Sequence, residues 1–153
     1  MAKRKPSPPE SIEQIDTGMV ENFIGYSTRR ASLAIGDTFM QRMAVHELRP
    51  VSFTLLALIA SNPGIMSSQL CALLKIQSSN LVALVKQLHE RGLIERRPHA
   101  YDVRALGLHL TGQGRSFTKK AQATALAAGL EATARLTDEE RATLASLLRK
   151  IYQ

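Results

Sequence analysis

Between Asp16 and Glu47 no proline interrupts the chain, and Val20, Phe23, Ile24, Ser27, Ala31, Ala34, Ile35, Phe39 and Met43 recur at three- and four-residue steps. That period predicts one long amphipathic helix with a single stripe kept out of water. Pro50 stops the pattern and opens the next helix, VSFTLLALIASN, where it sits in a first turn that has no hydrogen bond to lose. Asn62-Pro63-Gly64 then reads as a turn. Ser67 or Ser68 can cap a short helix carrying Leu70, Cys71, Leu73 and Leu74. The period breaks at Ile76-Gln77, and Ser78 or Ser79 can cap a second short helix, with Leu81, Leu84, Val85 and Leu88 on one stripe and Gly92 as its stop. Two short helices joined by a three- to four-residue turn match the helix-turn-helix pattern.

Leu93 to Arg96 is short enough for a strand, and Leu106, Leu108 and Leu110 alternate with Gly107 and His109 as a strand with one buried face does. The two runs flank a charged tip and predict a β-hairpin, so that helix-turn-helix followed by hairpin makes a winged helix. Thr111 can cap the next helix, with Gly112 and Gly114 in its first turns, running from Gln113 to about Arg135 and rich in alanine. Thr137 followed by Glu140 is a capping-box spacing, and the last helix carries Leu144, Leu147, Leu148 and Ile151 on one stripe. Stripes of this size on the first and last helices exceed what a small winged domain can hide, and they predict a homodimer.

Charge sharpens the picture. The formal net charge of the 153 residues is +7, which favours an anionic partner. Residues 75–120 hold nine Lys or Arg against three acids, so nearly all of the excess sits in the helix-turn-helix, hairpin and following helix. Within RRPHAYDVRAL, Arg96, Arg97 and Arg104 stand against Asp102. Arg96 and Arg97 close the first strand and are placed to meet phosphates, which set register without reading bases. Asp102 is repelled by phosphates, so its expected use is to orient Arg104 by a charge-assisted hydrogen bond, and Arg104 can then enter a narrow minor groove. On the second short helix Ser78, Ser79, Asn80, Val82, Ala83, Lys86 and Gln87 lie off the core side. Asn80 suits adenine and Val82 or Ala83 a thymine methyl, which leans toward an A·T-rich half-site.

Other chemistries find little support. Residues 1–15 read as a disordered arm, and MAKRKPSPPE has no apolar run behind its basic residues, unlike a secretory signal. One cysteine excludes an intrachain disulfide, and no run of about 18 apolar residues predicts a membrane span. The expectation is a soluble, cytoplasmic protein. His46, His89, His99 and His109 are scattered without metal-ligand spacing, no nucleophile motif appears, and Cys71 reads as a buried, inert thiol. No cofactor, metal or catalytic role is expected.

From LRPVSFTLLALIA through QLCALLKI and LVALVKQLHERGLIERRPHAYDVRALGLHLTGQGR the chain resembles the MarR (multiple antibiotic resistance regulator) family of winged-helix transcription factors. The most specific part is the arginine-rich strand end, then Asp102-Val103-Arg104-Ala105, then Leu110-Thr111 with Gly114 close behind. The resemblance implies a mainly α fold: a first dimerisation helix (16–48), a winged helix-turn-helix with a two-stranded wing (49–111) and C-terminal dimerisation helices (112–153). It implies a homodimer on a pseudo-palindromic double-stranded DNA operator, often released by a small molecule. The family commonly has Thr or Ser followed by Arg where this chain has Val82 and Ala83, which leaves fewer forked donors for guanine. The resemblance places an effector pocket near the first, second and fifth helices, where Tyr26, Arg29, Arg30, His46 and Phe53 are candidates for a small aromatic acid or its thioester. The arginine pair fits salt bridges at a dimer interface equally well. The rival reading is a winged-helix protein-interaction module without specific DNA binding, which would not need the basic wing.

Overall fold

The computed structural model describes residues 15–99 and 102–153, with side chains at 15–98 and 106–153. Contacts divide the chain into two compact units, one ending at Ala34 and one spanning Ile35–Gln153. The elements run α1 (Gly18–Glu21), α2 (Ile24–Met43), α3 (Pro50–Ser61), β1 (Ile65–Met66), α4 (Ser67–Leu74), α5 (Ser78–Glu90), β2 (Ile94–His99), β3 (Asp102–Leu110), α6 (Gly112–Ala132) and α7 (Asp138–Tyr152). Among the described residues no single helix is long and apolar enough to cross a membrane.

The expected single N-terminal helix is two. Asn22 interrupts it: its side chain donates back to the Gly18 carbonyl at 3.0 Å, and the Ser27 hydroxyl takes the Glu21 carbonyl at 3.1 Å. Side chains thus satisfy carbonyls that a continuing helix would have bonded through its backbone. At its far end α2 tightens into a 3-10 turn over Ala44–His46, and Glu47 leaves it in the left-handed region at φ 51°. Of the expected arm, residues 1–15, all but Ile15 lie outside the described residues.

The core of the larger unit gathers Leu55, Leu56 and Ile59 of α3, Leu70 of α4, Leu81, Val85 and Leu88 of α5, and Ile94 and Leu108 of the sheet, with Met43 and Ala121 from the long helices. The α5 stripe is thus buried at Leu81, Val85 and Leu88, with Leu84 partly buried against the same core. Cys71 is half-buried and packs against this core, rather than being fully enclosed. Neither serine pair caps its helix. Met66 precedes α4, and its N–H donates to Gln69 Oε1 at 2.9 Å. Gln77 precedes α5, and Ser78 and Ser79 are already helical. Between the two helices Lys75 adopts φ 51°, and Ile76 N–H returns to the Cys71 carbonyl at 3.3 Å.

The sheet has three strands in the order β1-β3-β2, so the expected hairpin gains a short third member. Ile65 pairs with Leu108 and Met66 with Gly107. A two-residue strand carries no periodicity, which is why the sequence pattern does not mark it. Gly107 makes the join possible: a Cβ there would stand 2.5 Å from the Gly64 carbonyl oxygen. Leu108 and Leu110 face the core as expected, whereas Leu106 is 52% exposed because the hairpin has by then left the body of the protein.

The hairpin is fastened to α6 by Thr111 and Gly114. Thr111 Oγ1 accepts from Gly114 N at 2.9 Å and donates to the Gly92 carbonyl at 2.6 Å. Its N–H donates to the Leu93 carbonyl at 3.1 Å. Thr137 and Glu140 form the expected reciprocal capping box, at 2.8 and 3.2 Å. Arg42 of α2 and Glu131 of α6 form a two-bond ion pair at 2.7 and 2.9 Å. The hydrogen bond from Arg42, aided by its charge, holds the Glu131 carboxyl below the usual carboxylate range. No residue of α7 is buried, and Leu144, Leu147, Leu148 and Ile151 are all exposed on it, as are Leu126 and Leu130 on α6.

Candidate nucleic-acid interface

α5 presents two faces of opposite character. Leu81, Val85 and Leu88 hold one against the core, so Ser78, Ser79, Asn80, Val82, Ala83 and Lys86 are all exposed on the other. Because no side chain caps α5, the hydroxyls of Ser78 and Ser79 stand in its first turn without a capping bond. The first-turn N–H groups of a 13-residue helix carry the positive end of its dipole, which suits phosphate oxygens. Lys86 lies two turns on, 74% exposed, with Glu90 3.8 Å away. A pair so open to water is worth at most about 1 kcal/mol and does not hold the lysine back from another anion.

Beside α5 the hairpin carries Arg96 opposite Leu108 and Arg97 opposite Gly107. Successive strand residues point to opposite faces, so these two exposed arginines diverge. Arg97 shares a face with Glu95, and the two form an ion pair at 2.5 Å, with the side chains 56% and 36% exposed. Glu95 is one of the three acids among the cations of residues 75–120. The i,i+2 spacing within a strand was the signal that it would hold Arg97. Asp102 and Arg104, the expected orienter and minor-groove reader, lie where side chains are outside the described residues.

The effector candidates separate. Tyr26 is half-buried and Arg29 and Arg30 are exposed in the unit ending at Ala34. In the larger unit His46 and Phe53 belong to different aromatic pairs. Phe53 meets Phe39 with centroids 5.5 Å apart, and His46 meets Phe117 edge-on at 5.7 Å. His46 Nε2 is 2.9 Å from Thr124 Oγ1. The residue that organises this corner is Arg91, which the pattern reading passed over. Its guanidinium donates to the His46 and Glu47 carbonyls at 2.9 and 3.2 Å and lies 5.2 Å from the centre of the Phe117 ring. A cavity of about 390 Å³ opens beside it, lined by Arg49, Ser52 and Gln87 as well as Arg91. Among the described residues no cluster of His, Cys, Asp or Glu could hold a metal ion.

Comparison with known proteins agrees with this architecture. The MarR family's sequence profile matches residues 46–105, from the end of the first long helix to the wing. A putative transcriptional regulatory protein for the hcr operon of Thauera aromatica is 30% identical over all of this chain and 93% of its own length. The transcriptional repressor CouR bound to a 23-mer DNA duplex superposes with a TM-score of 0.84 at 29% identity, covering 92% of this chain and 99% of that one. CouR bound to p-coumaroyl-CoA superposes at 0.79 with 28% identity over 92% of this chain and 99% of that one. Winged helix, basic hairpin and flanking long helices thus agree with a relative that matches from end to end, and the chain belongs to the MarR family of transcriptional regulators.

Proposed function

We propose that the protein is a ligand-responsive transcriptional repressor that binds a pseudo-palindromic operator as a homodimer and acts by binding rather than by catalysis. The observation that carries this reading is the outward face of α5, polar at Ser78, Ser79, Asn80 and Lys86 with Val82 and Ala83 between them, set beside a hairpin that projects arginines from both of its faces. A protein-interaction module has no use for that charge. Residues 49–111 serve as the DNA-binding winged helix, and 16–48 with 112–153 as the dimerisation region. The exposed leucines of α6 and α7 support the second assignment, because an apolar face of that kind is a liability unless a second copy covers it. A DNA-binding role puts the protein in the cytoplasm.

In this reading Asn80, Val82 and Ala83 meet base edges, while Ser78, Ser79, Lys86, Arg96 and Arg97 meet phosphates. Arg104, oriented by Asp102, enters the minor groove. The effector is a small aromatic acid or its thioester, a class supported by the p-coumaroyl-CoA complex of CouR. The corner built by His46, Phe53, Arg91 and Phe117 offers rings and a cation for it, and Tyr26, Arg29 and Arg30 remain candidates from the N-terminal unit.

The test is selection of binding sites from random DNA, followed by titration of the selected site at two salt concentrations. Half-sites about 10 base pairs apart, centre to centre, and a steep salt dependence are expected. Sites without a dyad would overturn the dimeric docking.

A further inference from the structure

A second recess lies away from the His46 corner, where the end of α3, the base of the hairpin and the second turn of α6 meet. Its volume is about 290 Å³. Arg97, Arg115 and Lys119 line it with His109, and Ile59, Ala60, Pro63 and Leu110 supply an apolar wall. Its lining includes Thr118, which is 2% exposed and whose Oγ1 has no hydrogen-bond partner among the described residues. Buried hydroxyls normally find a partner, and Thr118 lines the same recess as the three cations, so its unpaired hydroxyl is a donor left for an oxygen acceptor. Arg115 is held in position by its bond to the Leu110 carbonyl at 3.0 Å, and Arg97 by Glu95. Three permanent cations against one carboxylate leave two positive charges, the complement of a phosphomonoester dianion. The apolar wall suits the organic part of such a molecule.

We propose that this recess binds a small organic phosphate through Arg97, Arg115, Lys119 and the Thr118 hydroxyl. Because Arg97 also belongs to the hairpin, a bound phosphate holds it at the base of the wing and away from DNA. That coupling rests on the wing reading above, whereas the binding site itself does not. A backbone phosphate of DNA offers similar oxygens but only one negative charge, and the part-buried floor and apolar wall favour a free molecule over a strand crossing an open surface.

The probe is phenyl phosphate, titrated into the full-length protein by calorimetry without DNA, against benzoate and against sodium chloride of equal ionic strength. Saturable binding at millimolar concentration or tighter is expected, at least fivefold weaker for benzoate and weakened fivefold or more in Lys119→Gln and in Thr118→Val. Thr118→Val keeps the side-chain shape and removes only the hydroxyl, so folding is preserved. Absence of saturable binding, or binding by both variants as tight as the parent's, as for a loosely held anion, would overturn the site. Loss of random-DNA affinity in Lys119→Gln without any phenyl phosphate binding would assign the cations to the DNA backbone instead. Operator titrations then read the coupling: saturating phenyl phosphate should weaken the parent protein's operator binding severalfold and leave Arg97→Ala unmoved. Arg97→Ala measured without phosphate tests the wing reading separately, since binding equal to the parent's there would remove Arg97 from the DNA interface altogether.

Discussion

Gly114→Ala is the most exacting test of how the wing is attached to the rest of the fold. A Cβ at this position would stand 1.8 Å from the Leu93 carbonyl oxygen and 2.8 Å from its carbon. That is roughly 1.5 Å inside the ~3.3 Å at which carbon and oxygen meet without repulsion. The obstacle is backbone, so no rotamer change relieves it, and the same carbonyl accepts the Thr111 N–H at 3.1 Å. Separating the two segments also strains the Thr111 hydroxyl's bond to the Gly92 carbonyl at 2.6 Å. Overpacking costs about 1–3 kcal/mol where side chains can yield, and the upper end or more applies where they cannot. Losing that hydrogen bond adds about 1 kcal/mol, and the better helix propensity of alanine returns about 1 kcal/mol. The expected net loss is about 3 kcal/mol. With a urea slope of about 1–3 kcal/mol/M the midpoint falls by at least about 1 M. Urea unfolding followed by circular dichroism, at one fixed protein concentration, measures it. Gly129→Ala in the same helix is the control. Nothing lies within 4 Å of its would-be Cβ, so it should gain roughly 0.5–1 kcal/mol. If Gly114→Ala unfolds within about 0.5 kcal/mol of the parent (the spread expected of a neutral surface change), the close docking of α6 on the start of β2 is wrong.

The remaining predictions concern the interface, the assembly and pH. Glu95→Gln releases Arg97 from its ion pair and should tighten DNA binding at low salt, while Arg97→Ala should weaken operator and random DNA about equally and lower the salt slope by about 1. Both are read by fluorescence titration at two salt concentrations, and weaker binding by Glu95→Gln would mean that the carboxylate positions Arg97 for DNA instead of competing with it. Leu147→Glu, on the exposed stripe of α7, should shift sedimentation toward monomer and weaken operator binding together; a parent protein already monomeric at micromolar concentration would refute the dimer. Asn80→Ala should cost about 1–3 kcal/mol on the selected site and flatten discrimination at one base position. The lowered pKa of Glu131 stabilises the folded state above the ordinary carboxylate range, and that contribution disappears as pH falls through the lowered value. The stability gap between the parent and Arg42→Ala should therefore narrow as the solution is acidified from neutral, and a gap unchanged by acid would mean the pair adds nothing.

The helices, the hairpin and the family were legible because each rests on local, repeated signals. The stripe Leu81, Val85 and Leu88 determined which face of α5 is buried, and so which residues remain for a partner. Pro50, Asn62-Pro63-Gly64, Gly92, Thr111 and the Thr137–Glu140 box determined where elements begin and end, since each acts on backbone groups within a few residues. Where two local solutions competed, only the assembled fold chose between them. Gln69 and not a serine serves the start of α4, and Asn22 breaks what the apolar period had drawn as one helix.

Contacts between residues far apart in sequence were decided by the tertiary structure alone. Strand β1 exists because Gly107 leaves room for Gly64, more than forty positions earlier, and not because two residues prefer to be extended. Arg91 reads as a helix-end cation until folding sets Phe117 beneath it and the His46 carbonyl before it. Thr118, Lys119, Arg115 and Arg97 share a recess only once α6 lies along α3 and the hairpin. Periodicity determines which face of an element leaves water, because burial rewards any apolar neighbour alike. Which polar groups meet depends on the angles and distances at which whole elements pack, and no stretch of sequence carries those by itself.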